Sequence, residues 1–157
     1  MSMRLLLPLT AVALLFTASA PAGAESVPPV GDPLVKQECG TCHMAFQPAF
    51  LPARSWSLMI DHLSDHFGED ASLPADKAQR IRAYLTTNAG DAGGAGWTRR
   101  YILWVAKDGT PQRITANPAF ERRHRFSDQV WKDPKVVTRS NCPACHMQAD
   151  RGRYDDD

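Results

Sequence analysis

One five-residue pattern, Cys-x-x-Cys-His, occurs twice in the chain and uses all four of its cysteines. The two copies consist of Cys39, Cys42 and His43, and of Cys142, Cys145 and His146. Cysteines three residues apart lie on one helical turn, which lets both sulfurs reach the two vinyl groups on one edge of a porphyrin. The histidine that follows can bind the iron as the proximal ligand. Because this pattern is the attachment site of a c-type haem, the sequence predicts two covalently bound c-type haems.

Other uses of paired cysteines fit this chain less well. A thioredoxin-like dithiol begins a helix that follows a strand, and no strand pattern precedes Cys39. Cysteine pairs that share a zinc ion typically lie about 15–20 residues apart, whereas a whole domain separates these two. Two ordinary disulfides would give no reason for a histidine after each pair. Haem attachment explains both histidines.

Three further histidines, His62, His66 and His124, are available for the second axial position of each iron. The apolar spacing of Ser55–Phe67 predicts an amphipathic helix that carries the first two. At about 100° per residue, His66 lies roughly 75° from the centre of the apolar face and His62 roughly 115°. We therefore expect His66 to be a distal ligand and His62 to be the spare histidine.

His124 lies in a basic run, where a histidine is normally a surface residue, but Phe120 and Phe126 flank it and a second iron needs a ligand. Methionine is the alternative distal ligand. Two methionines directly follow the proximal histidines and cannot easily reach the opposite haem face, and Met59 lies in an apolar helix face, where a methionine more often packs. The predicted iron ligands are His43, His66, His124 and His146. Methionine ligation raises the haem potential, so two His/His haems should lie lower; which distal histidine serves which haem is left open.

The first 24 residues predict a secretory signal peptide. Leu5–Phe16 is an apolar run of twelve residues, short of the about 20 that a membrane span needs. We expect cleavage after Ala24, with Ala20 as the alternative site and an uncleaved anchor as the alternative fate. No later segment is apolar enough to span a membrane. Export to the periplasm fits covalent haem, which bacteria attach outside the cytoplasm.

Charge is balanced over the mature chain but divided unevenly along it. The 133 residues from Glu25 carry 17 basic and 17 acidic side chains, which argues against nucleic acid as a partner. Residues 25–96 hold 5 basic and 9 acidic residues, a net charge of −4, and residues 97–157 hold 12 and 8, a net charge of +4. This polarity could orient an encounter with a charged partner. Equally, the basic residues could solvate a surface and neutralise haem propionates.

The patterns predict a mainly α chain. In residues 25–90, Asp32 and Pro33 predict the start of a helix that runs into the first motif, and a later helix is expected from about Ser72 to Asn88. With the intervening helix, this is the element order of a small monohaem cytochrome c domain.

A glycine-rich linker is predicted at residues 91–96, followed by a second domain at 97–157. Within it, Tyr101–Val105 is expected to be a short strand or extended run, and Asn141 to cap a helical turn that carries the second motif. About 60 residues with so little periodicity could hardly bury a core alone. We expect a covalent haem to organise this small, largely irregular domain.

The chain resembles the dihaem cytochromes c called DHC, of photosynthetic and other Gram-negative bacteria. The matching stretches are CGTCHMAFQPAFLPARSW, HFGEDASL, the RRH around His124, and NCPACHMQAD with RGRYDDD after it. The resemblance implies a class I cytochrome c-like N-terminal domain, an irregular C-terminal domain and two bis-histidine haems. The family's ligand positions fall on His43, His66, His124 and His146. It also implies redox partners: an oxygen-binding haem protein known as SHP as electron acceptor and, sometimes, a membrane cytochrome b.

The sequence thus favours a periplasmic, low-potential electron carrier, because irons with both axial positions filled exchange electrons and bind no substrate. One alternative is a small haem redox enzyme with an open iron. Few residues could deliver protons to it: His62, with Asp61 and Asp65 nearby. The other is a gas-ligand sensor with a labile distal histidine. Carbon monoxide binding to the reduced protein distinguishes the carrier from both.

Overall fold

The computed structural model describes residues 26–93 and 97–154. The predicted signal peptide at 1–24, part of the predicted linker and the acidic tail lie outside these ranges. The described chain is mainly helical, and extended pairing within it is limited to two isolated bridges, Ser26 with Arg153 and His66 with Glu69. Its α-helices are α1 Pro33–Cys39, α2 Ala53–Asp61, α3 Ala75–Thr87, α4 Trp97–Ile102, α5 Pro118–Arg123 and α6 Asp128–Trp131. Among the described residues, no helix is both long and apolar enough to cross a membrane.

Helix α1 leads into the first cysteine motif, as predicted. The Asp32 side chain accepts a hydrogen bond from the Leu34 backbone N–H at 2.7 Å, and Pro33 occupies the first turn, where its missing N–H costs nothing. The helix ends at Cys39. The rest of the motif therefore lies in bends beyond the helix.

The predicted helix over Ser55–Phe67 is too long. Helix α2 ends at Asp61 and a short 3-10 turn follows, because the chain turns out of the helix at His62, with φ −118° and ψ 28°. Phe67 and Gly68 then have φ values of 59° and 98°, which no right-handed helix contains. The predicted helix from Ser72 is α3, which begins at Ala75 after Pro74.

One buried cluster joins α1, α2 and α3. Its members are Val30, Val35, Leu51, Trp56, Ile60, Ile81, Leu85 and Ala89. Polar contacts also join these helices. Arg82 of α3 donates to the Ser57 carbonyl of α2 at 3.0 Å, and Lys77 of α3 pairs with Glu38 of α1 at 2.8 Å. These helices form the frame that holds the first motif.

A second buried cluster joins the two parts of the chain. It consists of Val27, Ala49, Phe50, Tyr101, Ala119 and Phe120. Tyr101 reaches it from α4, so the expectation of a strand or extended run at Tyr101–Val105 is wrong: helical turns place this ring against Phe50, with centroids 5.2 Å apart. The division into domains 25–90 and 97–157 stays a prediction, and the cluster shows that the two parts share apolar packing.

Candidate haem-binding sites

Site 1 is the first cysteine motif together with His66. The imidazole rings of His43 and His66 lie next to each other, with centroids 6.2 Å apart and planes inclined by 30°. His43 Nδ1 lies 2.8 Å from the Met44 carbonyl. Because a carbonyl can only accept, this nitrogen carries the proton and leaves Nε2 free for a metal. Phe46 stacks on His43 at 4.9 Å and supports its ring.

His66 is held by its backbone rather than by a helix. Its N–H donates to the Glu69 carbonyl at 2.7 Å, and the Phe67 ring lies 4.8 Å from its imidazole. Burial lowers the pKa of His66, and the neighbouring charges of His43 and Arg113 lower this pKa further. A depressed pKa favours the neutral imidazole, which is the form that binds iron.

His62 is placed differently. It is exposed, and its Nδ1 lies 2.8 Å from the Leu58 carbonyl, one turn back on its own helix. With His66 it lines a small cavity of about 130 Å³ that does not include His43. The structure thus brings His66, and not His62, against the proximal histidine.

Site 2 is the second cysteine motif together with His124. Cys142–Ala144 forms a 3-10 turn, and the His146 N–H donates to the Cys142 carbonyl at 2.8 Å, so a helical turn carries the motif as predicted. Asn141 does not cap it. Its side chain donates instead to the Val136 carbonyl at 3.1 Å, because the preceding loop lies within reach.

The His124 and His146 rings of site 2 have centroids 6.1 Å apart and planes inclined by 87°. His124 Nδ1 lies 3.0 Å from the Phe120 carbonyl, and its ring stacks on Phe120 at 4.0 Å and 15°. The pKa of His124 is lowered by burial, against the effect of the hydrogen bond to Phe120. The basic run of the sequence therefore contains a half-buried, neutral imidazole.

A cavity of about 350 Å³ lies between these two histidines. Its walls are largely aromatic: Phe50, Tyr101, Phe120, Phe126, Trp131 and Tyr154. Arg123 and Arg139 also line it. An apolar cleft of this size with a few polar groups is typical of a cofactor site.

The spacing of the histidines tests whether the residues fit a haem. A first-row metal binds an imidazole nitrogen at about 2 Å. Each nitrogen lies about 1 Å from its ring centre, given ring bonds near 1.3 Å. Two imidazoles on opposite sides of one iron therefore have centres about 6 Å apart, and the two pairs measure 6.2 and 6.1 Å. Both sites fit a haem iron bound between two histidines.

No disulfide joins the four cysteines, so their sulfurs are available for haem attachment. Before attachment, burial raises the pKa values of the Cys39 and Cys142 thiols to about 11. Their partners Cys42 and Cys145 are exposed. In each motif, the first cysteine is therefore more buried than the second.

The family model for dihaem cytochrome c matches residues 35–154. The chain belongs to this family. Membership establishes two c-type haems and electron transport as the family's role. The family's members are electron carriers and generally not enzymes. A cytochrome c of this kind exchanges electrons with redox partners.

Solved structures agree with the family assignment. The diheme cytochrome c from Rhodobacter sphaeroides is 43% identical over 81% of this chain and 99% of its own, with a TM-score of 0.74. The diheme cytochrome c from Shewanella baltica OS155 is 30% identical over 78% of this chain and 97% of its own, with a TM-score of 0.62. The comparison with curated proteins finds no match.

Sequence reasoning missed the residues that join the two sites. Gln47 is completely buried, accepts a hydrogen bond from the Tyr154 hydroxyl at 2.6 Å and donates to the Ala149 carbonyl at 2.6 Å. Tyr154 in turn packs its ring edge-on against His146, with centroids 5.4 Å apart. A glutamine next to an aromatic residue is no signal by itself, since its partners lie more than 100 residues away.

Proposed function

We propose that this dihaem cytochrome c is a low-potential electron carrier in which both irons have two histidine ligands. His43 and His66 would hold the first iron, and His146 and His124 the second. The observation that carries the proposal is the presence of two imidazole pairs at the spacing of a shared iron. Filled axial positions favour electron exchange over substrate binding.

The chain's own residues would bind, orient and shield the haems. The haem iron supplies one-electron exchange between its ferric and ferrous states. The motif cysteines would anchor each porphyrin by thioether bonds. The Met44 and Phe120 carbonyls accept from the Nδ1 protons of His43 and His124. These bonds leave each Nε2 available to bind the iron and would raise its basicity.

Low potential supports donation to a higher-potential acceptor. Methionine ligation would raise the potential, and neither site pairs its proximal histidine with a methionine. The family resemblance suggests an oxygen-binding haem protein of the SHP type as acceptor and a membrane cytochrome b as a further partner. The predicted signal peptide supports the periplasm as the place of action. Arg122 precedes His124, and Arg125 and Lys132 follow it. All three side chains are exposed, and they favour an acidic partner surface at site 2.

Exposure of the reduced holoprotein to carbon monoxide tests this function. We expect the absorption spectrum of both haems to remain unchanged, since neither iron offers a free axial position. Rapid formation of a carbon monoxide complex at either haem would contradict the carrier and favour a sensor or a redox enzyme. A His66→Ala variant provides the positive control, because it opens one axial position.

A further inference from the structure

We propose that site 2 holds the higher-potential haem, so that electrons pass from site 1 to site 2 and leave the protein there. This inference rests on the proposed function, because it requires a bis-histidine iron at each site. It concerns the difference in reduction potential between the two haems, which their identical ligand sets do not determine. Three independent features of the described residues point in the same direction.

The first feature is the charge around each site. Arg123 and Arg139 line the site 2 cavity, and none of its described lining residues is a carboxylate. The cavity beside His66 is lined by Asp65 and, among the described residues, by no lysine or arginine. Ferric haem carries one more positive charge than ferrous haem, so nearby cations favour the reduced iron and nearby carboxylates favour the oxidised one.

Two neighbouring charges act against this difference. Glu121 pairs with Arg139 at 3.0 Å beside site 2. Arg113 lies over the Phe67 ring at 3.7 Å and its charge acts on His66 of site 1. With these two included, site 1 has one arginine and one aspartate and site 2 has two arginines and one glutamate, so the net charge of these groups is still more positive at site 2.

The second feature is burial. Both histidines of site 2 are half-buried among aromatic side chains, whereas His43 of site 1 is exposed. An apolar environment disfavours the more highly charged state of a group. For haem, burial is one of the established means by which a protein changes the reduction potential. Site 2 should therefore favour the ferrous iron more than site 1.

The third feature is the relative orientation of the imidazole planes. With planes inclined by 30°, both imidazoles of site 1 would interact mainly with the same d orbital of a bound iron. With planes inclined by 87°, the imidazoles of site 2 would interact with two different d orbitals. Parallel planes split the two orbitals and stabilise the ferric iron, whereas perpendicular planes leave the orbitals close in energy. The orientation lowers the potential at site 1 relative to site 2.

The same orientation makes the two sites distinguishable by electron paramagnetic resonance. A ferric iron with near-parallel imidazoles gives an ordinary rhombic low-spin spectrum, and near-perpendicular planes give a strongly anisotropic one with a larger maximum g value. A redox titration of the holoprotein, followed by this method, should therefore show the anisotropic signal disappear first as the potential is lowered. Earlier loss of the rhombic signal, or loss of both signals at one potential, would overturn the inference.

Two variants assign each signal to its site and test whether charge causes the difference in potential. His66→Ala should remove the rhombic signal alone, which assigns that signal to site 1. Arg139→Gln should lower the midpoint potential of the anisotropic signal and leave the other unchanged. The control is Arg80→Gln, a surface arginine paired with Asp32 at 3.2 Å, which should move neither midpoint. An unshifted anisotropic signal in Arg139→Gln would contradict the electrostatic argument.

Failure of this inference differs from failure of the proposed function. If the untreated holoprotein contains a high-spin ferric iron, the bis-histidine assignment itself is wrong. If both irons are low-spin and the order of their potentials is reversed, only the direction of electron flow is wrong.

Discussion

His62 and His66 are four residues apart, but their imidazoles make opposite kinds of contact. His62 is tied to Leu58 of its own helix and faces solvent. His66 lies beyond the end of that helix, where the chain turns back and directs its ring to His43. The reason to prefer His66 is therefore not its angle around a helix, because no helix reaches it. The reason is its position in the turn.

The two histidines give a matched pair of substitutions. His66→Ala should convert one low-spin haem into a high-spin haem that binds carbon monoxide, because one axial position loses its ligand. His62→Ala should leave both haems low-spin. Absorption and electron paramagnetic resonance spectra of the purified holoproteins check this. Swapped outcomes would show that His62 is the distal ligand of site 1.

At the level of elements, the loop that follows the first motif belongs to both sites. Phe46 stacks on His43, the next residue, Gln47, bonds to Tyr154 and Ala149, and Phe50 lines the cavity of site 2. A run of five residues thus contacts both proximal histidines, directly or through one neighbour. The relative placement of the two sites depends on this loop.

Replacing Gln47 by Leu should destabilise the protein. The change removes a buried acceptor from the Tyr154 hydroxyl and a donor from the Ala149 carbonyl, and each buried group left without a partner costs about 1–3 kcal/mol. We expect a fall in the free energy of unfolding of this order, measured by denaturant titration of the holoprotein. The control is Gln37→Leu on α1, an exposed residue, which should change stability by less than about 0.5 kcal/mol. Equal effects of the two substitutions would remove the role assigned to Gln47.

At the level of the whole molecule, the two sites lie in parts of the sequence with opposite net charge. Residues 97–157, with a net charge of +4, carry site 2, and residues 25–96, with −4, carry site 1. Arg122 and Arg125 flank the segment of His124, and Arg122 lies over the Trp104 ring at 4.1 Å. Two exposed arginines therefore lie beside the site from which we propose that electrons leave.

Electron transfer to an SHP-type acceptor should depend on salt. The Debye length falls from about 10 Å at 0.1 M to about 3 Å at 1 M ionic strength, so attraction between exposed charges is lost over this range. Stopped-flow rates should decrease with salt, and Arg122→Ser with Arg125→Ser should reduce both the rate at low salt and its salt dependence.

A second double variant, Lys36→Ser with Arg80→Ser, changes the net charge equally on α1 and α3. It should have a smaller effect than the double variant at site 2. A rate that responds equally to both double variants would indicate a general effect of net charge and contradict a docking surface at site 2.

The sequence by itself determined the chemistry of this protein. Two copies of the Cys-x-x-Cys-His pattern predicted two c-type haems, which family membership confirms. Asp32 and Pro33 predicted the start of α1, and the patterns predicted a mainly α chain. These predictions succeed because they depend on residues that are close in sequence: a cap, a helical turn, a motif of five residues.

The tertiary structure decided which histidine lies opposite which, a question that the sequence left open. It placed His66 against His43 and His124 against His146. It also ended α2 before His66 and made a helix of Trp97–Ile102. Each of these outcomes depends on contacts between distant segments. Local propensity is too weak to determine the end of a helix or the partner of a side chain when long-range packing and buried hydrogen bonds favour another arrangement.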